Sequence, residues 1–584
     1  MKKRNWILLF PLILASCGKN VVSKDDKISV MIEQGENFKA YSSSLRISRG
    51  ENASFRLGML NHSKVLGVSY PNYQVKYVGE VAVLTLNHVY YPTVVQITTT
   101  YEAIPVDFCG GRIPGSDLDE YRYPIYQEHE RVNLPNLNLV KDGYQLYGYK
   151  TDLNSEDSIP LGSRFARDVK NLYADFKKEV SRDSLIVSSL DEKTCELVSY
   201  SGDDKEVILP SFVDGKKLVS IRNGCFSNKN MDILFIPNTV NQVQKGAFSD
   251  CGITTLCLFD SLREISDASF ENTDIGKVRI NTYKKPSYMN SFFALFPDKV
   301  DLLIKNKGKK KLVLFSGSTT RYGYDCSLLK EAYPDYEPVN MGVFAYVNQR
   351  PQLEIIRHFL EDGDVLLVSP EFDVNALDLQ FFMERQLDNR IFRMMESDYQ
   401  LFSYIDIHQY QGVFDAFSKY VKEKDRLYHQ EYALSPQYFD DDGAEYTNKI
   451  YDEYLDFSLL RYGEVLSGRM FQPEIDYTTE RFYEGFLDTY NTFYDDFTTK
   501  DVSVYFTYAP RNIDSLTEAS VPEKRRELEA LLNEKIHLPI ISKMEDSFYP
   551  AYDFYKIDDH LTTEGAIFRT KKVIEDLKPY LMKH

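Results

Sequence analysis

Tryptophan is almost missing from this 584-residue sequence, with one Trp against 43 Tyr and 36 Phe. Basic charge is short as well: 69 Lys+Arg face 87 Asp+Glu, a formal charge of −18. So acidic a chain is a poor counterion for phosphate backbones, which excludes nucleic acid as an expected partner. Long apolar runs are absent beyond one stretch at the N-terminus, and a polytopic membrane protein is thereby excluded. The seven cysteines show no C-x-x-C spacing and no neighbouring His, so neither a metal site nor a cofactor is expected from them. Cys109, Cys195, Cys225, Cys251, Cys257 and Cys326 are expected as buried thiols rather than as a disulfide frame. What is present is ordinary for globular protein, 43% hydrophobic and 27% charged residues, and the length predicts three or more domains.

The apolar stretch, Trp6 to Ala15, follows the basic Met1-Lys2-Lys3-Arg4 and is too short to cross a bilayer. It ends Leu14-Ala15-Ser16-Cys17-Gly18, small residues before a cysteine. The segment resembles a bacterial lipoprotein signal and lipobox over residues 1–17. An ordinary secretory signal with an incidental Cys is the alternative. The resemblance implies that Cys17 becomes the lipid-modified first residue and that the rest of the chain stands outside the cell, tethered to the membrane. Loss of Lys2, Lys3 and Arg4 from the 69 basic residues then leaves a mature charge of −21.

Period-two alternation in Ile28–Ile32, Ala53–Leu57 and Val81–Leu86 predicts β structure, with turns at Gly35-Glu36-Asn37 and Gly50-Glu51-Asn52. With Gly148-Tyr149-Lys150 and Ile159–Ser163, residues 28–165 resemble the small β repeats of bacterial surface proteins (internalin B-repeat type). Residues 164–182 are expected as a helical linker. Beyond them a fixed interval appears: Phe226, Phe248 and Phe270 are 22 residues apart, as are Ile221, Val243 and Ile265. A period of that size means a solenoid in which each coil buries its Phe against the next. The blocks resemble BspA-type leucine-rich repeats, placed at 183–282. The resemblance implies either a spacer or a binding face for a host or surface protein.

From about residue 300 the pattern is α/β. Lys310–Phe315 and Asp364–Ser369 hold apolar runs of buried-strand type, and Val502–Ala509 reads as a further strand. Helices are expected at Ser327–Tyr333, Gln352–Glu361, Glu518–Lys535 and Thr563–Met582, with a last strand at Leu538–Ser542. Such alternation indicates a mostly parallel sheet covered on both faces. An insertion at about 376–500 is dense in Tyr and Phe and helical in texture; Tyr451, Tyr454, Phe457 and Tyr462 fit core positions or, where exposed, sugar stacking. His408 and His429 read as surface or core, and Asp440-Asp441-Asp442-Gly443 as a solvated acidic loop rather than a cation site.

Ligands of a parallel sheet collect at the carboxyl ends of its strands. There the sequence reads Ser316-Gly317-Ser318-Thr319-Thr320, then Val339-Asn340-Met341-Gly342, then Ser369-Pro370-Glu371-Phe372-Asp373, and Asp558-Asp559-His560-Leu561 before the last helix. A Ser in a small-residue turn exposes its hydroxyl, and a Gly lets its N–H approach an oxyanion closely. Each residue also has a plainer use: Ser318 as a helix N-cap, Gly342 as a turn glycine, His560 in a capping segment opened by Thr562 or Thr563.

In order and spacing, residues 300–584 resemble the SGNH (GDSL-like) hydrolase and acyltransferase superfamily, in the branch of the D-alanyl-lipoteichoic acid biosynthesis protein. The resemblance implies a flavodoxin-like α/β domain with Ser318 as nucleophile, His560 as base, and Gly342 as oxyanion donor. Three departures stand out. Ser316 replaces a glycine. Glu371 stands at or near the oxyanion Asn, leaving Asn375 as the nearby amide. Ile557 replaces the usual Asp, so that Asp558 or Asp559 would orient the imidazole, or a Ser-His dyad would act alone. The expected activity is that of a surface-anchored esterase or O-acyltransferase on acylated envelope or extracellular glycan. The alternative is a non-catalytic binding or adhesion lipoprotein.

Overall fold

The computed structural model describes residues 27–582, apart from 36, 61–62, 79–80, 101, 117, 119, 126–130, 285–292, 294, 345–346, 373–384, 429–453, 456–464, 471–473, 482–486, 488–490, 493, 496 and 498–500. Cys17, Asn375, His429, Asp440–Gly443, Tyr451, Phe457 and Tyr462 therefore lie outside the described residues. The chain divides into two compact units, one ending at Thr100 and one beginning at Tyr101.

The first unit is built from mostly antiparallel sheets. Ala53–Met59 pairs with Val81–Leu86, and these two are flanked by Phe38–Ala40 and Tyr73–Val78. Lys27–Ile32 runs antiparallel to Ser44–Ser48 and parallel to Thr93–Val95. Strict alternation of buried and exposed residues along Lys27–Ile32 puts Ile28, Val30 and Ile32 into a core with Phe55, Leu57, Leu84 and Leu86.

In the second unit a four-stranded sheet comes first, in the order 120–125, 102–107, 172–178, 144–150. The expected helical linker at 164–182 is corrected here. Arg164–Ala166 and Leu172–Lys178 are strands, and only Arg182–Ser184 forms a single 3-10 turn. Leu172 and Ala174 point inward while Tyr173 between them is half-buried, a period of two that a sheet can bury and a helix cannot.

The solenoid follows. Its parallel sheet contains β1 (Glu206–Ile208), β2 (Asn230–Phe235), β3 (Gly252–Phe259) and β4 (Asp274–Asn281), each in register with the next. Phe226, Phe248 and Phe270 are buried and stacked, with centroids 5.1 and 5.2 Å apart. Between coils the backbone turns left-handed at Asn228, Asp250 and Asn272, again 22 residues apart, a conformation that Asn and Asp tolerate best among side-chain-bearing residues. The sheet's other face is not open. Ile208, Phe235, Cys257 and Phe259 share one core with Val106, Leu146, Tyr149 and Leu172 of the preceding sheet.

The C-terminal region opens with α1 (Leu295–Lys305) and continues as β5 (Lys311–Phe315), α2 (Ser318–Gly323), α3 (Cys326–Ala332), β6 (Glu337–Asn340), α4 (Gln349–Phe359) and β7 (Val365–Val368). After the insertion, which includes α5 (Val413–Tyr428), come β8 (Ser503–Phe506), α6 (Pro522–Lys535) and α7 (Thr563–Leu581). The four strands are all parallel, in the order β6-β5-β7-β8, and Ile540 adds a parallel bridge to Phe506. Every residue of β5 and β7 is buried, as the apolar runs Leu312–Phe315 and Val365–Val368 require of a sheet covered on both faces.

Buried ion pairs tie the three parts of this unit together. Arg131 and Arg164 both reach Asp301 of α1 at 2.7 Å, and Arg131 also reaches Asp398 at 2.6 Å. Lys424 of α5 lies between Asp260 and Glu396 at 2.6 and 2.7 Å, all three fully desolvated. Phe414 of α5 continues the repeat's Phe stack, 4.3 Å from Phe270. The six described cysteines are free thiols, and all but Cys109 are buried.

Candidate functional site

The turns that leave the four strands converge at the carboxyl edge of the sheet. β5 ends at Phe315, and the chain passes through Ser316 and Gly317 into α2, whose first residue is Ser318. Gly317 occupies the cap position, so Ser318 is not the N-cap of this helix. The turn after β7 reaches the same place: Glu371 Oε1 accepts Thr319 N–H at 2.7 Å and the Thr319 hydroxyl at 2.6 Å.

The turn after β6 lies directly on α2. Asn340 Nδ2 donates to Thr320 O at 3.1 Å, and Asn340 Oδ1 accepts Gly342 N–H at 3.0 Å. A Cβ on Gly342 would fall 2.3 Å from Arg321 N and 2.8 Å from Gly317 O, so only glycine allows this approach. The Gly342 carbonyl accepts from the buried Lys299 ammonium at 2.6 Å. Gly342 is thus a close-approach glycine whose N–H is already donated to Asn340.

The loop before α7 is held by the residues that follow β8. Arg511 pairs with Asp559 at 2.6 Å and donates to Phe372 O at 3.3 Å. Asn512 Nδ2 donates to Asp558 Oδ1 at 2.7 Å, while Met470 N–H reaches both oxygens of that carboxylate at 3.2 Å. These ties hold His560 over α2: its ring lies on Tyr322, centroids 4.1 Å apart. Tyr322 is four residues after Ser318 and so projects from the same helix face. Thr562 caps α7 by accepting Gly565 N–H at 3.1 Å, which puts His560 two residues before the cap. From further along α7, the buried Arg569 donates to Tyr508 O, Tyr324 Oη and Ser369 Oγ at 2.8–3.0 Å, fastening the helix to the ends of β7 and β8.

The electrostatics centre on Glu371. Burial pushes its carboxyl up to about 7, Asp559 adds to the rise, and the Thr319 hydrogen bonds and Arg511 oppose it. Burial also raises Asp559, with Asp558 adding and Arg511 opposing. Among the described residues no group of three His, Cys, Asp or Glu is placed to hold a metal ion.

Of the residues singled out in the sequence, Ser318, Gly342, Glu371, Asp558, Asp559 and His560 are carried by turns that meet at this edge. Asn375 falls outside the described residues. Sequence reasoning missed Arg511, Asn512, Tyr322 and Arg569, and gave Asn340 no role of its own within the glycine turn. The rule that pointed to the ends of the first three strands also covers Pro510-Arg511-Asn512 after the fourth. Nothing in the sequence marked Arg569, which acts across 245 residues to reach Tyr324.

Residues 219–297 match the BspA type leucine-rich repeat region family, in six copies. No curated protein matches the chain.

Proposed function

We propose that this chain is a surface-anchored serine esterase or O-acyltransferase of SGNH type, acting on acylated envelope or extracellular glycan. The observation that carries the reading is the meeting of the Ser318 turn with the His560 ring over Tyr322, at the carboxyl edge of a parallel sheet ordered β6-β5-β7-β8. A flavodoxin-like SGNH domain accounts for that order. In the reaction, His560 takes the Ser318 hydroxyl proton as Oγ bonds to the ester carbonyl carbon, and the carbonyl π pair moves onto oxygen. Collapse of the oxyanion expels the alkoxide, which takes the proton from His560 and leaves an acyl-Ser318. Water or a sugar hydroxyl then gives its proton to His560, attacks the acyl carbon and restores the serine. The lipobox-like N-terminal segment supports a location outside the cell for this chemistry, with Cys17 carrying the lipid. Purified wild-type chain is expected to hydrolyse acetyl esters and to label with a fluorophosphonate, and Ser318→Ala to do neither. Equal hydrolysis by Ser318→Ala refutes the mechanism.

A second reading, a non-catalytic surface-binding lipoprotein, is favoured by two hydrogen bonds. Thr319 N–H is donated to Glu371 and Gly342 N–H to Asn340, so two backbone donors near the serine are engaged inside the protein. On that reading the repeats would meet a protein partner through their exposed side chains, Glu264 among them. A chain that folds but never labels with the fluorophosphonate decides for this second reading.

A further inference from the structure

The turn after β7 brings a carboxyl onto Thr319, the residue directly after Ser318, and an ionised Glu371 would repel an oxyanion formed at that serine rather than hold it. We infer that Glu371 is the donor to the oxyanion formed at Ser318, through a proton carried on its Oε2. The inference rests on the serine acyl-transfer reading above and deepens it.

Three features of the geometry support it. First, Oε1 is saturated: Thr319 N–H and the Thr319 hydroxyl reach it at 2.7 and 2.6 Å. Both donors belong to the residue directly after Ser318, so the carboxyl is clamped against the nucleophile's turn. Second, an oxygen that already accepts two hydrogens is a poor seat for a proton, which goes to the other oxygen. Among the described residues no hydrogen bond engages Oε2, and Glu371 as a whole is 8% exposed.

Third, the surrounding charges do not hold Glu371 ionised. Arg511, from the end of β8, is drawn to Asp559 at 2.6 Å and to Phe372 O. Asp559, from the loop before α7, disfavours a second negative charge nearby. Tyr477, from the insertion, packs its ring on Phe372 and interacts with Arg511 rather than with the carboxyl. His560 lies over Tyr322 on α2. Burial then leaves the acid half-protonated at about pH 7. A neutral acid stabilises the oxyanion by donating, and it keeps its proton when the oxyanion collapses, so no bond to that hydrogen is broken in the cycle.

The test uses the purified full chain with p-nitrophenyl acetate and a fluorophosphonate probe, both followed from pH 5 to 9. Wild-type turnover should fall about tenfold for each pH unit above 7, as the donor proton is lost. Glu371→Gln keeps an N–H donor and should lose that falling limb. Glu371→Ala should be slower by about 10²-fold at pH 6 and show no falling limb. Circular dichroism checks the fold, and if Glu371→Ala does not fold, the pH profile of Glu371→Gln decides alone. A Glu371→Gln profile that still falls above pH 7 overturns the inference while Ser318 labelling leaves the serine reading intact. If Ser318 labels at no pH and wild type is no faster than Ser318→Ala, the serine reading fails and the inference falls with it.

Discussion

A carboxyl raised by burial leaves a signature on stability that needs no substrate. Glu371 sits at about 7 in the folded chain and near 4.5 when exposed, so the folded state binds its proton more tightly than the unfolded state does. The sign follows: with more protons bound in the native state, stability falls as pH rises. The contribution is whole below about pH 4.5, declines through the interval, and is gone above about pH 7. The step from 4.5 to about 7, at about 1.4 kcal/mol for each tenfold in proton affinity, amounts to about 3.5 kcal/mol in full, of which about 3 kcal/mol is lost between pH 4.5 and pH 8. Glu371→Gln mimics the protonated form and has no such slope. Glu354, which burial also raises, tilts both proteins alike. The difference between wild type and Glu371→Gln therefore reports Glu371 together with its coupling to Asp559. Urea unfolding at pH 4.5, 6 and 8 is the assay, read by far-ultraviolet circular dichroism because the only tryptophan is Trp6, in the apolar stretch at the N-terminus. The stability of Glu371→Gln relative to wild type should rise by about 3 kcal/mol between pH 4.5 and pH 8. Parallel curves for the two proteins would refute the argument, because they would mean that Glu371 ionises as an exposed carboxyl does.

Two packing predictions follow from the solenoid and its junction. Phe248 is fully buried between Phe226 and Phe270, so Phe248→Ala should cost about 3–5 kcal/mol, read as a shift in the urea midpoint. Phe212 is 60% exposed, and Phe212→Ala should stay within about 0.5 kcal/mol. Lys424→Met leaves Asp260 and Glu396 buried without their cation and should cost about 3–5 kcal/mol; adding Asp260→Asn and Glu396→Gln should recover most of the loss, and a triple variant no more stable than the single one would refute the ion-pair account.

The repeats were legible because their cause is local and periodic. Each coil must place a Phe, an aliphatic residue and a left-handed turn at equal intervals, and 22-residue spacings at Phe226, Val243 and Asn228 record all three demands. The same holds for β5 and β7, whose apolar runs state that both sheet faces are covered. Leu172–Lys178 was misread because seven residues carry too few alternations to tell a half-buried strand from a helix. Its partners at 102–107 and 144–150 settle the matter. The repeat's sheet face was expected as either a spacer or a binding surface. Only the packing of Phe235 and Phe259 against Leu146 and Tyr149 revealed that the chain covers it itself.

At the candidate site the division is sharper. Order along the chain announces a serine turn, a glycine turn, an acidic turn and a histidine loop, because each must follow a strand or precede a helix. Their chemistry depends on what lies across the sheet edge. Glu371 is an ordinary acid until Thr319 saturates one oxygen, Arg511 turns to Asp559, and burial removes the water that would hold its charge. Composition and periodicity reach as far as the backbone path, since helix and strand are set by neighbours in sequence. Acid strength and hydrogen-bond partnership are set by neighbours in space, and those exist only once residues 319, 371, 511 and 559 have been folded together.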